Sequence, residues 1–268
     1  MALTFYIADS VVLCRSVAPW LLLTGLCVAQ SSIRITSGVI NTDYPATHFN
    51  DDAIKGVEIK FTYDDSDITQ GWKDRDVVVA PYSTACEVSK SIYEKMIRAE
   101  LAKYNSIGVK KCLKAVILVD TIAIAGVAVG GTCTSDTLWI TTRDAREKLH
   151  DESQICSIFH HELATVIVWN SGEEGWEFKR EWISKVGGES KYQGGSFIAM
   201  KADKASTSFD PCLLEHGFLC EYSTATFDDD VSMLNEKWMM SRPLVNSAIE
   251  VSLQPSATHG SGSVGSEP

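Results

Sequence analysis

The spacing of hydrophobic positions divides the middle of the chain into short strands and longer helices. Runs rich in β-branched residues predict strands at 57–61, 76–81, 115–120 and 136–142. Hydrophobic residues at intervals of three and four predict helices at 84–104, 152–169 and 229–240. Strands and helices that alternate in this way predict an α+β fold with a small sheet.

The last predicted strand belongs to a long apolar segment at 121–142. This segment holds two strand candidates joined by the small and polar residues 130–136, so we expect an antiparallel hairpin or edge pair. The predicted helix at 152–169 follows it. Glycines cluster further on, within 171–208, where we expect irregular structure with one short helix near 177–185. An excursion of this length covers a functional face or decorates the surface.

Both ends of the chain differ in composition from the middle. An apolar run at 16–29 follows Arg15, and it predicts a signal peptide over 1–29 rather than a membrane span. A buried N-terminal segment is the alternative, because Asp9 is unusual so early in a signal peptide. Cleavage would send the domain at 30–250 out of the cytoplasm without an integral membrane span. Residues 251–268 are expected to form a disordered tail, because the sequence becomes Gly- and Ser-rich.

Composition excludes several classes of function. With 45% hydrophobic residues among 268, the chain has enough material for a core. Its net charge of −11 repels phosphate backbones, which argues against nucleic-acid binding. The sequence has no Gly-rich phosphate-binding loop. A metal, or a neutral or cationic partner, fits this charge better than a nucleotide.

Removal of a signal peptide would leave six cysteines, an even number that permits disulfides in an oxidising compartment. No CxxC pair occurs among them, which disfavours a structural zinc knuckle. Cys112 and Cys156 have apolar neighbours typical of buried thiols. We expect at most one or two bridges, and Cys212 with Cys220 is the first pair to test.

The predicted helix at 152–169 carries a carboxylate on its apolar side. On a helical wheel Glu162 falls inside the arc formed by Ile155, Ile158, Phe159, Leu163, Val166 and Trp169. Burying an unpaired carboxylate is costly, so a cation or hydrogen-bond donor should meet it. His161 and Thr165 share one edge of the arc, whereas His160 is predicted to point to the opposite, polar side.

The pair His161-Glu162 follows a strand pair, as the zinc-binding HExxH motif does in zincins. Here the motif reads His-Glu-Leu-Ala-Thr, so Thr165 stands where the second histidine would be. A threonine hydroxyl is a poor zinc donor, and His160 projects away from His161. The alternative is an ordinary helix whose His and Glu are satisfied by hydrogen bonds.

Several further segments occur in a matching order: AELAKY, ILVD, VGGTC, LWIT, IFHHEL and GFLCEYSTATFDDDVSMLNE. Over residues 99–240, about half of the chain, they resemble zinc metallopeptidases of the gluzincin group. The resemblance implies a zincin-like metallopeptidase fold, with a small antiparallel or mixed sheet packed on an active-site helix. It also implies zinc as cofactor and a peptide or protein substrate.

The same resemblance assigns roles to four residues. His161 would be the first zinc ligand and Glu162 the general base. In that group a tyrosine precedes an acidic zinc ligand by seven residues, and Tyr222 and Asp229 match this spacing, although the ligand is more usually Glu. Asp229 would be the third ligand, and Tyr222 would stabilise the oxyanion.

Structural alternatives exist for these assignments. One of the three aspartates at 228–230 would cap the following helix, and the others would favour its dipole. Tyr222 would then be an ordinary half-buried tyrosine. His216 is either a replacement zinc ligand or a surface residue.

A site with His161 and Asp229 as its only protein ligands should hold zinc weakly or not at all. The sequence therefore predicts a metallopeptidase-like protein that is weakly active or inactive. The second hypothesis is an exported, non-catalytic domain that binds a peptide or glycan in the former cleft. Tryptophans suit such stacking, although most of them should lie in the core. A purely structural exported protein is the third hypothesis.

Overall fold

The computed structural model describes residues 56–83, 87–104, 109 and 111–252. The expected signal peptide at 1–29 and residues 253–268 of the tail expected at 251–268 lie outside the described residues. Within the described part, no helix is both long enough and apolar enough to cross a bilayer.

Among the described residues, seven strands form two small sheets. They are β1 (Glu58–Lys60), β2 (Val77–Ala80), β3 (Ala115–Val119), β4 (Thr121–Ile124), β5 (Val127–Val129), β6 (Gly131–Cys133) and β7 (Thr137–Thr141). The first sheet has the order β1-β3-β7-β6, in which β1, β3 and β7 run parallel and β6 is an antiparallel edge strand. The second sheet, β2-β4-β5, is antiparallel.

The first sheet is buried on both faces. All five residues of β3 are buried, which explains its unbroken apolar sequence AVILV. Leu118 and Ile140 face the larger core together with Phe159. Ile117 and Trp139, which lie opposite each other on β3 and β7, face the second core beside the antiparallel sheet. The period of two residues thus distributes each strand between two cores.

Seven helices cover or connect the strands in the described part of the chain. They are α1 (Gln70–Lys73), α2 (Glu87–Leu101), α3 (Glu152–Asn170), α4 (Gly172–Lys185), α5 (Ser196–Lys201), α6 (Pro211–Leu214) and α7 (Phe227–Ser252). Two 3-10 turns, at Glu189–Lys191 and Tyr222–Thr224, join the later helices. The backbone of α7 is interrupted at Ser241, where φ is −153° and ψ is 65°.

Helix α3 is the central element, and it packs against α7, α2, β6 and β7. It begins at a capping box, in which Asp151 accepts a hydrogen bond from the backbone of Gln154 and the Gln154 side chain accepts one from the backbone of Asp151. This cap fixes where the helix starts and therefore which residues face the sheet.

The predicted α+β class is confirmed, and each predicted strand and helix has a counterpart. The interpretation of 130–136 as a connection was wrong, because Gly131–Cys133 forms the edge strand β6. The strand candidate before it is two strands, since Ala125 and Gly126 turn the chain with φ of 48° and 78°. The segment 171–208 is more helical than expected, because it contains the whole of α4 and α5.

The proposed Cys212–Cys220 disulfide is wrong. Cys212 is exposed on α6, whereas Cys220 is buried and its sulfur lies 3.4 Å from the hydroxyl of Ser223. Cys220 turns inward because it pairs with Phe209 in an antiparallel bridge. Cys112 and Cys156 are buried thiols, as predicted.

Candidate functional site

The His-Glu pair lies on α3 directly beneath the edge strand β6. A Cβ atom added to Gly131 would lie 2.5 Å from Cγ2 of Ile158 and 3.1 Å from Cγ of Glu162. Strand and helix approach so closely only because residue 131 has no side chain. The Glu162 carboxyl is thereby held near Cys133, and each group shifts the pKa of the other.

The structure brings all four predicted site residues into one cluster. The Tyr222 ring stacks on the His161 ring, with centroids 5.8 Å apart and planes inclined by 24°. Asp229 is close enough to shift the pKa values of His161, Glu162 and Tyr222. We call these four residues, together with Glu236 of α7, the His161 cluster.

Glu236 is the member of the cluster that sequence reasoning missed. Its Oε2 lies 3.4 Å from Nδ1 of His161, while its Oε1 accepts hydrogen bonds from Ser157 at 2.6 Å and Lys237 at 2.9 Å. A signal was present in the sequence. Asp229, Ser232 and Glu236 are spaced by three and four residues, so they share one face of α7. That face is polar yet buried.

His161 and Glu236 form a charged pair. Burial alone would raise the pKa of Glu236, but hydrogen bonds from His161 and Ser157 and the charge of Lys237 lower it to about 2. Burial opposes the charge on His161, yet the bond to Glu236 and the nearby carboxylates raise its pKa above the ordinary value. Imidazolium and carboxylate are therefore stabilised together near neutral pH.

Glu162 behaves in the opposite way. Burial raises its pKa to about 7, against the attraction of charged His161 and with added repulsion from Asp229. Burial and the neighbouring Glu162 also raise the pKa of the Cys133 thiol, which stays protonated. The cluster thus pairs one ionised carboxylate, Glu236, with one carboxyl that titrates near neutrality.

The Asp229 carboxylate accepts hydrogen bonds from hydroxyl groups. Its Oδ2 accepts hydrogen bonds from Ser196 at 2.6 Å and Thr226 at 2.5 Å, and its charge helps to raise the pKa of Tyr222. The Thr226 hydroxyl in turn accepts from the backbone N–H of Asp229, as a helix cap does. Thr226 rather than an aspartate therefore caps α7, and Asp229 supports that cap.

Thr165, which stands in the position of the second zinc ligand, contacts Ser232 of α7. Its hydroxyl lies 2.8 Å from that of Ser232, and both side chains are buried. His216 is exposed in the turn after α6, so it is a surface residue of that turn. Among the described residues, no three or more His, Cys, Asp and Glu side chains are grouped so that they could hold a metal ion. A zinc site needs three protein ligands. Here the His161 imidazole is already paired with Glu236, and Asp229 is bonded to hydroxyl groups, so the residues present do not fit such a site.

His160 is not on a polar face, contrary to the helical-wheel prediction. It is fully buried, and its two ring nitrogens lie 2.8 Å from Glu100 and 2.7 Å from the hydroxyl of Tyr104. Asn235 donates to that hydroxyl and to the backbone carbonyl of His160. Helices α2 and α7 cover this side of α3, so it has no solvent face here.

Trp169, which the helical wheel assigned to the apolar arc of α3, is 52% exposed because it lies in the last turn of that helix.

Comparisons of the chain with protein-family models, with curated proteins and with solved structures find no match.

Proposed function

We propose that this protein is a metallopeptidase-like domain of zincin type that binds an extended peptide and has weak or no hydrolytic activity. The observation that carries the proposal is the arrangement of His161 and Glu162 between an antiparallel edge strand and the acidic face of α7. The resemblance over 99–240 supports the same ancestry, because its motifs supply β6, α3 and the start of α7.

The chemistry of the donor set argues against ordinary zinc catalysis. Zinc in such a site would polarise a water molecule for attack on a peptide bond. Here the residue in the position of the second ligand is a neutral threonine bonded to Ser232. The sole imidazole of the His161 cluster is paired with Glu236. These residues therefore do not form a three-ligand zinc site that would activate water.

The edge strand supports peptide binding. β6 lies at the end of its sheet, and on its outer side it pairs with no other described strand. The bonds between Thr141 and Gly130 and between Thr134 and Thr137 set the alternation of the β6–β7 ladder. This alternation directs the backbone N–H and C=O groups of Gly131 and Cys133 outward. An extended peptide could add there as a further strand.

The His161 cluster would then recognise the peptide rather than cleave it. Below about pH 7 the protonated Glu162 carboxyl can donate a hydrogen bond to a peptide carbonyl. Tyr222, whose pKa is raised by burial and by the adjacent Asp229 and Glu162, keeps its hydroxyl proton and can donate as well. Both side chains remain partly exposed, as binding requires.

The test separates binding from cleavage. Fluorescent extended peptides should bind the purified chain, and on prolonged incubation they should show slow chelator-sensitive cleavage or none. Tyr222→Ala should weaken peptide binding, whereas Tyr63→Phe, which alters a hydroxyl bonded to Val79, should not. Rapid chelator-sensitive cleavage by the parent chain would contradict the proposal, and so would the absence of peptide binding.

A second candidate, a non-catalytic domain that binds a glycan, is favoured by one observation. Trp169 and Trp176 are 52% and 66% exposed, while Trp72 and Trp139 are buried in the core.

A further inference from the structure

Two exposed tryptophans lie where α3 ends and α4 begins. Trp169 is in the last turn of α3 and Trp176 in the first half of α4. Gly175 allows the two helices to meet closely, since a Cβ atom there would lie 2.8 Å from the carbonyl oxygen of Val168. Large aromatic side chains this exposed commonly mark a binding surface.

Charged side chains accompany both indoles. The indole of Trp169 and the ammonium group of Lys179 both act to lower the pKa of Asp228, so the three side chains are near one another. Lys179 Nζ lies 5.7 Å from the ring centroid of Trp176 and 5.2 Å from that of Phe227. Lys179 thus lies over two aromatic rings. We call Trp169, Trp176, Lys179 and Asp228 the tryptophan patch.

The patch combines the two features that bind sugars. An indole face packs against the C–H groups of a pyranose ring, and adjacent charged groups bond its hydroxyls. The Asp228 carboxylate accepts hydrogen bonds and the Lys179 ammonium group donates them, so the two can bind neighbouring hydroxyl groups of one sugar. Their opposite charges cancel, so the pair does not require a charged ligand. A purely apolar partner would remove water from Asp228 and Lys179 without replacing its hydrogen bonds, which costs binding free energy.

The acidic residues around the patch disfavour an anionic ligand. Glu173, Glu174 and Glu177 lie on α4 around Trp176 and are exposed. Only Glu177 of these three has a described ion pair, with Arg180 at 3.9 Å. The acidic rim repels uronic acids, sulfated sugars and other anionic glycans.

We propose that the tryptophan patch binds a neutral saccharide, with Trp169 and Trp176 as stacking platforms and Asp228 and Lys179 as hydroxyl-binding groups. This site does not depend on the proposed peptide-binding function. Asp228 directly precedes Asp229, a member of the His161 cluster, so the patch lies next to that cluster along α7.

Calorimetric titration of the full chain with cellohexaose, mannohexaose and chitohexaose tests the proposal. At least one of these sugars should bind with a dissociation constant on the order of 0.1–1 mM. A sulfated heparin hexasaccharide should not bind. Trp176→Ala and Trp169→Ala should each weaken binding about tenfold or more. Ile198→Ala, which truncates another exposed apolar residue on α5, should leave it unchanged.

Both tryptophan variants should fold, because they truncate exposed side chains, and circular dichroism checks this. Binding of the sugar should survive Tyr222→Ala, which separates this site from the peptide site. The proposal is overturned if none of the three neutral sugars binds, if only heparin binds, or if binding persists in both tryptophan variants. A dimer of the parent chain that Trp176→Ala dissociates, without any sugar binding, would instead make the patch a protein contact and overturn it too.

Discussion

The Nδ1 atom of His161 lies 3.4 Å from Oε2 of Glu236, which joins the centre of α3 to α7. Both side chains are mostly buried, with 13% and 8% of their surface exposed. A buried pair of this kind holds two helices in register, because separating it leaves one charge without a partner. The pair also occupies the one imidazole that a metal site in this cluster would need.

Glu236→Gln should destabilise the fold by about 3 kcal/mol near neutral pH, since it leaves His161 without its counter-charge. The matched control is Glu177→Gln, whose exposed pair with Arg180 should contribute less than about 0.5 kcal/mol. Urea unfolding measures both differences.

The pH dependence of this effect has a defined sign. The pKa of Glu236 is lowered from 4.5 to about 2, so its stabilisation is complete above pH 4.5 and is lost as pH falls towards 2. The pKa of His161 is raised above 6.5, so its share is complete below pH 6.5 and is lost at higher pH. The loss in Glu236→Gln should be largest between these limits. A loss that does not change with pH would show that the pair is not charged.

Glu162→Gln should stabilise the protein at alkaline pH. Because burial raises the Glu162 pKa from 4.5 to about 7, ionisation opposes folding progressively across that interval. The gain should approach about 3 kcal/mol near pH 8 and vanish near pH 4. Unfolding measured at both pH values checks it, and an equal effect at the two would contradict the assignment.

Tyr104→Phe should cost about 2 kcal/mol, because it leaves His160 Nδ1 without a partner in the core and removes one of the two hydrogen bonds that the Asn235 amide donates. Tyr63→Phe is the matched control, since it removes one hydrogen bond, to the carbonyl of Val79, from a partly exposed site. It should cost about 1 kcal/mol or less. Equal losses in the two variants would mean that the buried network is not coupled.

Gly131→Ala should push β6 away from α3, because the added Cβ would lie 2.5 Å from Ile158 and 3.0 Å from the carbonyl oxygen of Trp139. We expect a loss of about 1–3 kcal/mol and weaker peptide binding. Gly71→Ala meets no atom within 4 Å and should be neutral or slightly stabilising. Thermal unfolding distinguishes the two.

Local patterns predicted most elements but not how α3 is covered. The apolar run at 115–120 and the periodicity of 152–169 correspond to β3 and α3. His160 was misplaced because a helical wheel assumes one solvent face, whereas α2 and α7 enclose this helix. Strand β6 was missed because it has only three residues and begins at a glycine, which is depleted in strands, and its pairing with β7 is a tertiary contact.

In the candidate site, too, the sequence predicted some features, and tertiary packing decided the others. The sequence placed His161, Glu162, Tyr222 and Asp229 together through family resemblance, and the four do form one cluster. It named Asp229 as the acidic ligand of a zinc shared with His161, and it did not identify Glu236, two turns later, as the carboxylate that contacts His161. Spacing along α7 permits either residue, and only the packing of α7 on α3 decides between them.

Zinc stoichiometry tests the central claim most directly. Purified parent chain and the variants Thr165→His and Thr165→His with Ser232→Gly would be equilibrated with zinc, dialysed and measured by elemental analysis. The second variant makes room beside α7, where the Ser232 hydroxyl now contacts Thr165. We predict substoichiometric zinc in the parent and about one zinc per chain in at least one variant, as a restored three-ligand site requires. One tightly held zinc in the parent, or none in either folded variant, would contradict a zincin-type site disabled at Thr165.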